Sequence, residues 1–124
     1  MSTEGVPVFD LDDALRRVDG DAAFFREIAE IFLESLPTEI STLLAAVEAD
    51  ENEQVCRLAH RIRGSVVSLG GSAAGVATTR LEGIAGADSE QSVLRQSCDE
   101  LVSELGKLED AIKQAIASGI PSAS

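Results

Sequence analysis

The sequence predicts an all-α fold: an antiparallel up-down-up-down four-helix bundle with a short extra helix at its N-terminal end. Three observations carry this. Apolar residues recur at threes and fours along the chain, and no stretch shows the strict alternation of a strand. The connections are very short and are marked by turn formers such as Asp19-Gly20 and Gly70-Gly71, so successive helices must run antiparallel. The length of 124 residues, with 44% hydrophobic and 26% charged, suits one core. A single domain over residues 1–124 is therefore expected, with its core at about 10–117 and a flexible tail at 118–124.

The first helix covers about Leu11 to Val18, with Asp10 as its cap and Asp19-Gly20 as its stop. A long second helix follows Asp21 and carries Phe25, Ile28, Phe32, Leu36, Ile40, Leu43 and Val47 on one stripe, which Phe24, Ile31, Leu33 and Leu44 widen. Pro37 predicts a kink or local break in it, because proline removes a backbone donor and crowds the preceding turn. Asp50-Glu51-Asn52-Glu53 has the form of a capping box opening a third helix, with Asp50 as cap, and Gly70-Gly71 ends that helix. A fourth, about Ser72 to Ala85, is rich in alanine and glycine, so it depends on close packing for its existence. Asp88 is expected to cap the last helix, whose stripe is Leu94, Cys98, Leu101, Leu105, Leu108, Ile112 and Ala115.

No apolar run approaches the length of a membrane span, and Met1 to Gly5 lack the pattern of a signal region, so a cytoplasmic protein without membrane association is expected. A net charge of −12 argues against nucleic acid as a partner. Cys56 and Cys98 lie within helical patterns and are expected as reduced thiols. The basic residues are not evenly spread: Arg57, Arg61 and Arg63 surround His60, the one histidine, which suggests a ligand or partner that is locally negative. Arg57 and Arg61 also read as solvated helix decoration, whereas Arg63 lies on the flank of His60.

With about 100° of rotation per residue, Val55, Leu58, Ile62, Val66 and Leu69 gather in one sector, and His60 points away from it. Gly64 stands one turn on, leaving a gap where a side chain would be. Metal binding through Cys56, Glu53 and His60 is opposed by the arginines. No Gly-x-Ser-x-Gly element or phosphate-binding loop accompanies the histidine. A nucleophile suits the pattern better: a neutral imidazole attacks a phosphoryl group through Nε2 when its Nδ1 proton is held by an acceptor, which in a bundle must come from the adjacent helix. Arg63 then offsets the phosphoryl charge.

The run His60-Arg61-Ile62-Arg63-Gly64-Ser65, followed by Leu69-Gly70, resembles the signature of the histidine-containing phosphotransfer (HPt) family, His-x-x-Lys-Gly-Ser and then Leu-Gly. Asp10-Leu11 and Phe32-Leu33-Glu34 before a proline extend the likeness over nearly the whole chain. The resemblance implies a phosphorelay carrier that takes a phosphoryl group from an aspartate of one receiver domain and passes it to another, with no ATP site and no cofactor of its own. His60 would be the phosphoacceptor, Arg63 the cation at the phosphoryl oxygens and Gly64 the approach gap. Glu82 matches the Glu or Gln that in some relatives holds the unphosphorylated nitrogen; a solvated helix glutamate is the other reading. Arg63 departs from the commoner lysine, which bears on phosphohistidine lifetime and partner preference.

Partners implied are receiver domains of response regulators or a hybrid histidine kinase, with Mg²⁺ brought by the receiver. Val67, Phe24 and Ile31 are candidates for apolar docking surface, though residues of this kind are more often core than interface. A monomer is expected, since the stripes suffice for one intramolecular core. The opening methionine and short tail favour a free-standing carrier over a fragment of a hybrid kinase. The alternative of another class is a non-catalytic helical module that binds and inhibits a receiver or kinase.

Overall fold

The computed structural model describes residues 5–87 and 89–120. Five helices follow in order: α1 (Leu11–Arg17), α2 (Ala22–Glu48), α3 (Asn52–Ser68), α4 (Ser72–Gly86) and α5 (Gln91–Ser118). Among the described residues there is no strand. α2 packs against α3 and α5, and α4 packs against the same two, which closes a four-helix square; α1 leans on α2 and α3. The predicted bundle and extra N-terminal helix are thus present. No helix among the described residues is long and apolar enough to cross a membrane.

The stripes read from the sequence meet in one apolar cluster. Phe25, Leu36, Leu43, Ile62, Leu81, Leu101, Leu105 and Ile112 are almost wholly excluded from water there, and this burial is the main term holding the bundle. Phe9 stacks on Phe25 at 6.2 Å between ring centroids, carrying the core into the segment before α1. Cys98 is buried and Cys56 half-buried, and both are free. Burial, helped by Asp99 and Glu48, pushes the Cys98 thiol up to about 11, which keeps it protonated and unreactive.

Three helices end by the same device. After α1, α2 and α3 the chain turns through a residue of positive φ (Asp19 at 55°, Asp50 at 58°, Gly70 at 76°). The next N–H then reaches back: Gly20 to Leu15 O at 2.7 Å, Glu51 to Ala46 O at 3.0 Å and Gly71 to Val66 O at 2.7 Å. This is the Schellman arrangement, which satisfies carbonyls orphaned at a helix end. Asp50 is therefore not the cap expected for α3. It terminates α2 in the left-handed conformation that Asp tolerates, and Glu51 takes the cap position without a side-chain bond. Asp10 and Asp21 do cap α1 and α2, accepting from Asp13 N and Phe24 N at 3.0 Å each.

Pro37 does not break α2, which runs unbroken from Ala22 to Glu48. Pro37 is exposed, so water can serve the carbonyl one turn earlier that loses its donor. Phe24, Ile31 and Leu44 do not widen the buried stripe; they are 48%, 65% and 39% exposed, because the azimuth of each lies beyond the neighbouring helices. Asp88, expected to cap α5, lies outside the described residues, and Glu90 holds the cap position. Of the tail expected to fray, 121–124 lie outside them as well.

The segment before α1 straps the α3–α4 turn: Asp10 N donates to Gly70 O at 2.8 Å, and Ala73 N donates to Pro7 O at 2.9 Å. Gly70 pays for this closeness with its side chain, since a Cβ there would collide with the Asp10 carbonyl. Gly70→Ala combines that collision with a left-handed φ and is expected to cost about 3 kcal/mol, read as a lower urea midpoint.

Candidate functional site

The core stripe of α3 decides where its histidine goes. Val55, Leu58, Ile62 and Val66 are buried, so His60, on the opposite side, keeps 70% of its side chain in solvent. The three-residue turn at 69–71 sends α4 back along α3, and this register brings Glu82 alongside. His60 Nδ1 lies 3.2 Å from Glu82 Oε2, at the outer edge of hydrogen-bonding distance. A proton on Nδ1, the nitrogen facing that carboxylate, would leave Nε2 with its lone pair towards solvent.

The three arginines divide. Arg57 is engaged by Glu53 at 3.5 Å and Gln54 at 2.8 Å, and Arg61 lies 3.8 Å from Glu39. Arg63 forms no ion pair among the described residues, although it is exposed. The cation on the flank of His60 is thus the one whose donors remain open to an incoming anion.

Gly64 occupies a junction. A small hollow is formed by His60, Arg63, Gly64 and Val67. On its other side Gly64 also borders an open groove of about 520 Å³, whose α2 wall is Phe24, Ile28, Ile31 and Ser35. A Cβ on Gly64 would meet nothing within 4 Å, so the bare residue makes one continuous surface of imidazole and apolar groove. Val67, Phe24 and Ile31, the apolar residues singled out from the sequence, all line one or the other.

The sequence reading missed the far wall of that groove, where Arg17 and Val18 approach Ser65, Ser68 and Leu69. Arg17 donates to Asp13 at 2.9 Å and, with Arg16, holds the Asp13 carboxyl below its ordinary value. No local pattern signals this wall, because it arises from the angle between α1 and α3. Cys56, weighed from the sequence only as a metal ligand and a reduced thiol, donates its thiol to the Glu82 backbone carbonyl at 3.4 Å, a contact the sequence reading did not foresee. Its spacing of four from His60 was the available signal. Among the described residues no group of three or more His, Cys, Asp or Glu side chains is placed to hold a metal ion.

A family model described as the Hpt domain matches residues 27–117. A solved structure, the HPT domain of a sensor hybrid histidine kinase from Shewanella, superposes with a TM-score of 0.80 at 19% identity, covering 92% of this chain and 97% of that one. No curated protein matches the chain.

Proposed function

The chain belongs to the Hpt domain family and is a phosphotransfer module of phosphorelays; from this premise we propose that His60 is the residue that carries the phosphoryl group. Nε2 of neutral His60 attacks the phosphorus of a receiver's aspartyl phosphate. The N–P bond forms as the P–O bond to the aspartate breaks, and the aspartate leaves as carboxylate. The imidazole then bears a positive charge, which the Glu82 carboxylate at 3.2 Å from Nδ1 stabilises. The reverse step, to the aspartate of a second receiver, uses the same geometry.

Arg63 receives the phosphoryl oxygens through its planar donor face. In this reading Mg²⁺ belongs to the receiver's acidic pocket, and the receiver seats an apolar face in the groove between α1, α2 and α3. The observation that carries the proposal is the continuity at Gly64 between that groove and the exposed imidazole. Its test is incubation with a phosphorylated receiver and Mg²⁺, followed by fragment mapping of acid-labile, base-stable label. Label on the fragment containing His60 is expected; label elsewhere, or none with every receiver tried, overturns the assignment.

The groove makes a separate prediction. Ile31 is 65% exposed and contributes little to the core, so Ile31→Asp is expected to leave the unfolding midpoint nearly unchanged. Its charge would be buried against the docked receiver, weakening binding roughly tenfold. Calorimetric titration of a receiver against both proteins checks this, and equal affinities would place the interface elsewhere.

A further inference from the structure

Cys56 stands one turn before His60 on α3, and its half-buried thiol reaches across to α4. It donates to the backbone carbonyl of Glu82, the residue whose carboxylate meets His60 Nδ1. The stretch of α4 that carries Glu82 is poorly held by its own sequence. Gly83 follows directly and Gly86 ends the helix, and glycine is the weakest helix former after proline. A Cβ on Gly83 would meet nothing within 4 Å, so no neighbour braces that residue at the α carbon. At Gly86 a Cβ would lie 3.9 Å from Cys56 Sγ. The sulfur's bond to the Glu82 carbonyl is thus placed directly beside the weak point, and it faces the side-chain-free flank of Gly86.

We propose that Cys56 is a positioning residue for phosphotransfer: its thiol pins the last turn of α4 so that Glu82 stays at Nδ1 of His60. The inference rests on the assignment of His60 as phosphoacceptor. The margin explains why so small a contact matters. At 3.2 Å the Nδ1 to Oε2 pair is an ion-pair contact at the outer end of hydrogen-bonding distance, and withdrawal of α4 by a few tenths of an ångström takes it beyond that distance. Without the acceptor, a neutral imidazole is free to move its proton to Nε2, and that tautomer carries its lone pair on Nδ1, facing Glu82 and not the incoming phosphorus. Cys56 touches neither phosphoryl group nor imidazole in this scheme; it acts through Glu82.

The test compares Cys56→Ala and Cys56→Ser with wild type by two readouts: the imidazole ¹⁵N shifts of neutral His60, which report its tautomer, and the initial rate of transfer from a phosphorylated receiver. Cys56→Ala, a helix-favouring change at a half-buried position, is expected to move the tautomer towards Nε2–H and slow transfer about threefold. Cys56→Ser keeps a donor for the same carbonyl and is expected to retain both wild-type readouts. Adding Gly83→Ala to Cys56→Ala stiffens the turn and is expected to restore them. A merely structural role would lower the unfolding midpoint without moving the tautomer, and that result, or unchanged shifts in Cys56→Ala, overturns the inference. Failure of His60 as acceptor is separately visible: wild type would then take up no phosphoryl group whatever the tautomer does.

Discussion

His60→Gln is expected to abolish phosphoryl uptake while leaving both the fold and the affinity for a receiver close to wild type. The side chain is 70% exposed and its described partner is Glu82 alone, so its loss changes stability by no more than about 0.5 kcal/mol. Glutamine has similar reach and can donate its amide N–H to the same carboxylate, which preserves the local contact. It has no nucleophilic nitrogen, because the amide lone pair is delocalised into the carbonyl. The effect on transfer is therefore a loss of the bond-forming atom rather than a weakened interaction. Label transfer, thermal unfolding and receiver titration on the same preparation check all three statements. Uptake by His60→Gln equal to wild type would move the acceptor to another residue. Retained binding by a wild-type protein that never takes up label would instead identify a module that sequesters its partner.

How much of this was legible in the sequence depends on how far each feature reaches. The core stripes of α2, α3 and α5 depend on local periodicity, and Phe25, Ile62, Leu101 and Ile112 are buried as their spacing requires. The outward direction of His60 follows from the same arithmetic. Asp50 misled because one residue type suits two opposite jobs. Asp caps a helix start with its side chain, and it also tolerates the left-handed φ that ends a helix. In a link as short as 49–51 the helix end claimed it first, through the bond from Glu51 N to Ala46 O. Phe24 and Ile31 fit the widened stripe of α2 by spacing, yet they are exposed because the neighbouring helices do not extend over that azimuth. Glu82 is further from local rules still. Its place beside His60 depends on the register of α4 on α3, which periodicity leaves free; the family resemblance supplied it. The α1 wall of the groove, with Arg17 and Val18, depends on an interhelix angle and left no mark in the sequence.

Gly64→Gln is expected to move stability and activity in opposite directions. Gly64 lies inside α3, where glycine costs backbone entropy that most residues do not, and a Cβ there meets nothing within 4 Å. Glutamine therefore gains about 0.5 kcal/mol from helix propensity alone, read as a higher urea midpoint. The same side chain projects into the junction between the His60 hollow and the apolar groove, the surface proposed above as the receiver's approach. It holds the receiver's aspartyl phosphate back from Nε2, and displacement of reacting groups by about 1 Å costs on the order of 100-fold in rate. Single-turnover transfer from a phosphorylated receiver measures this, with Gly64→Ala expected to fall between the two. A general loss of fold cannot produce the pair of results, because the more stable protein is the slower one. If Gly64→Gln transfers at the wild-type rate, the receiver reaches His60 from the α4 side, and the groove between α1, α2 and α3 is not its seat.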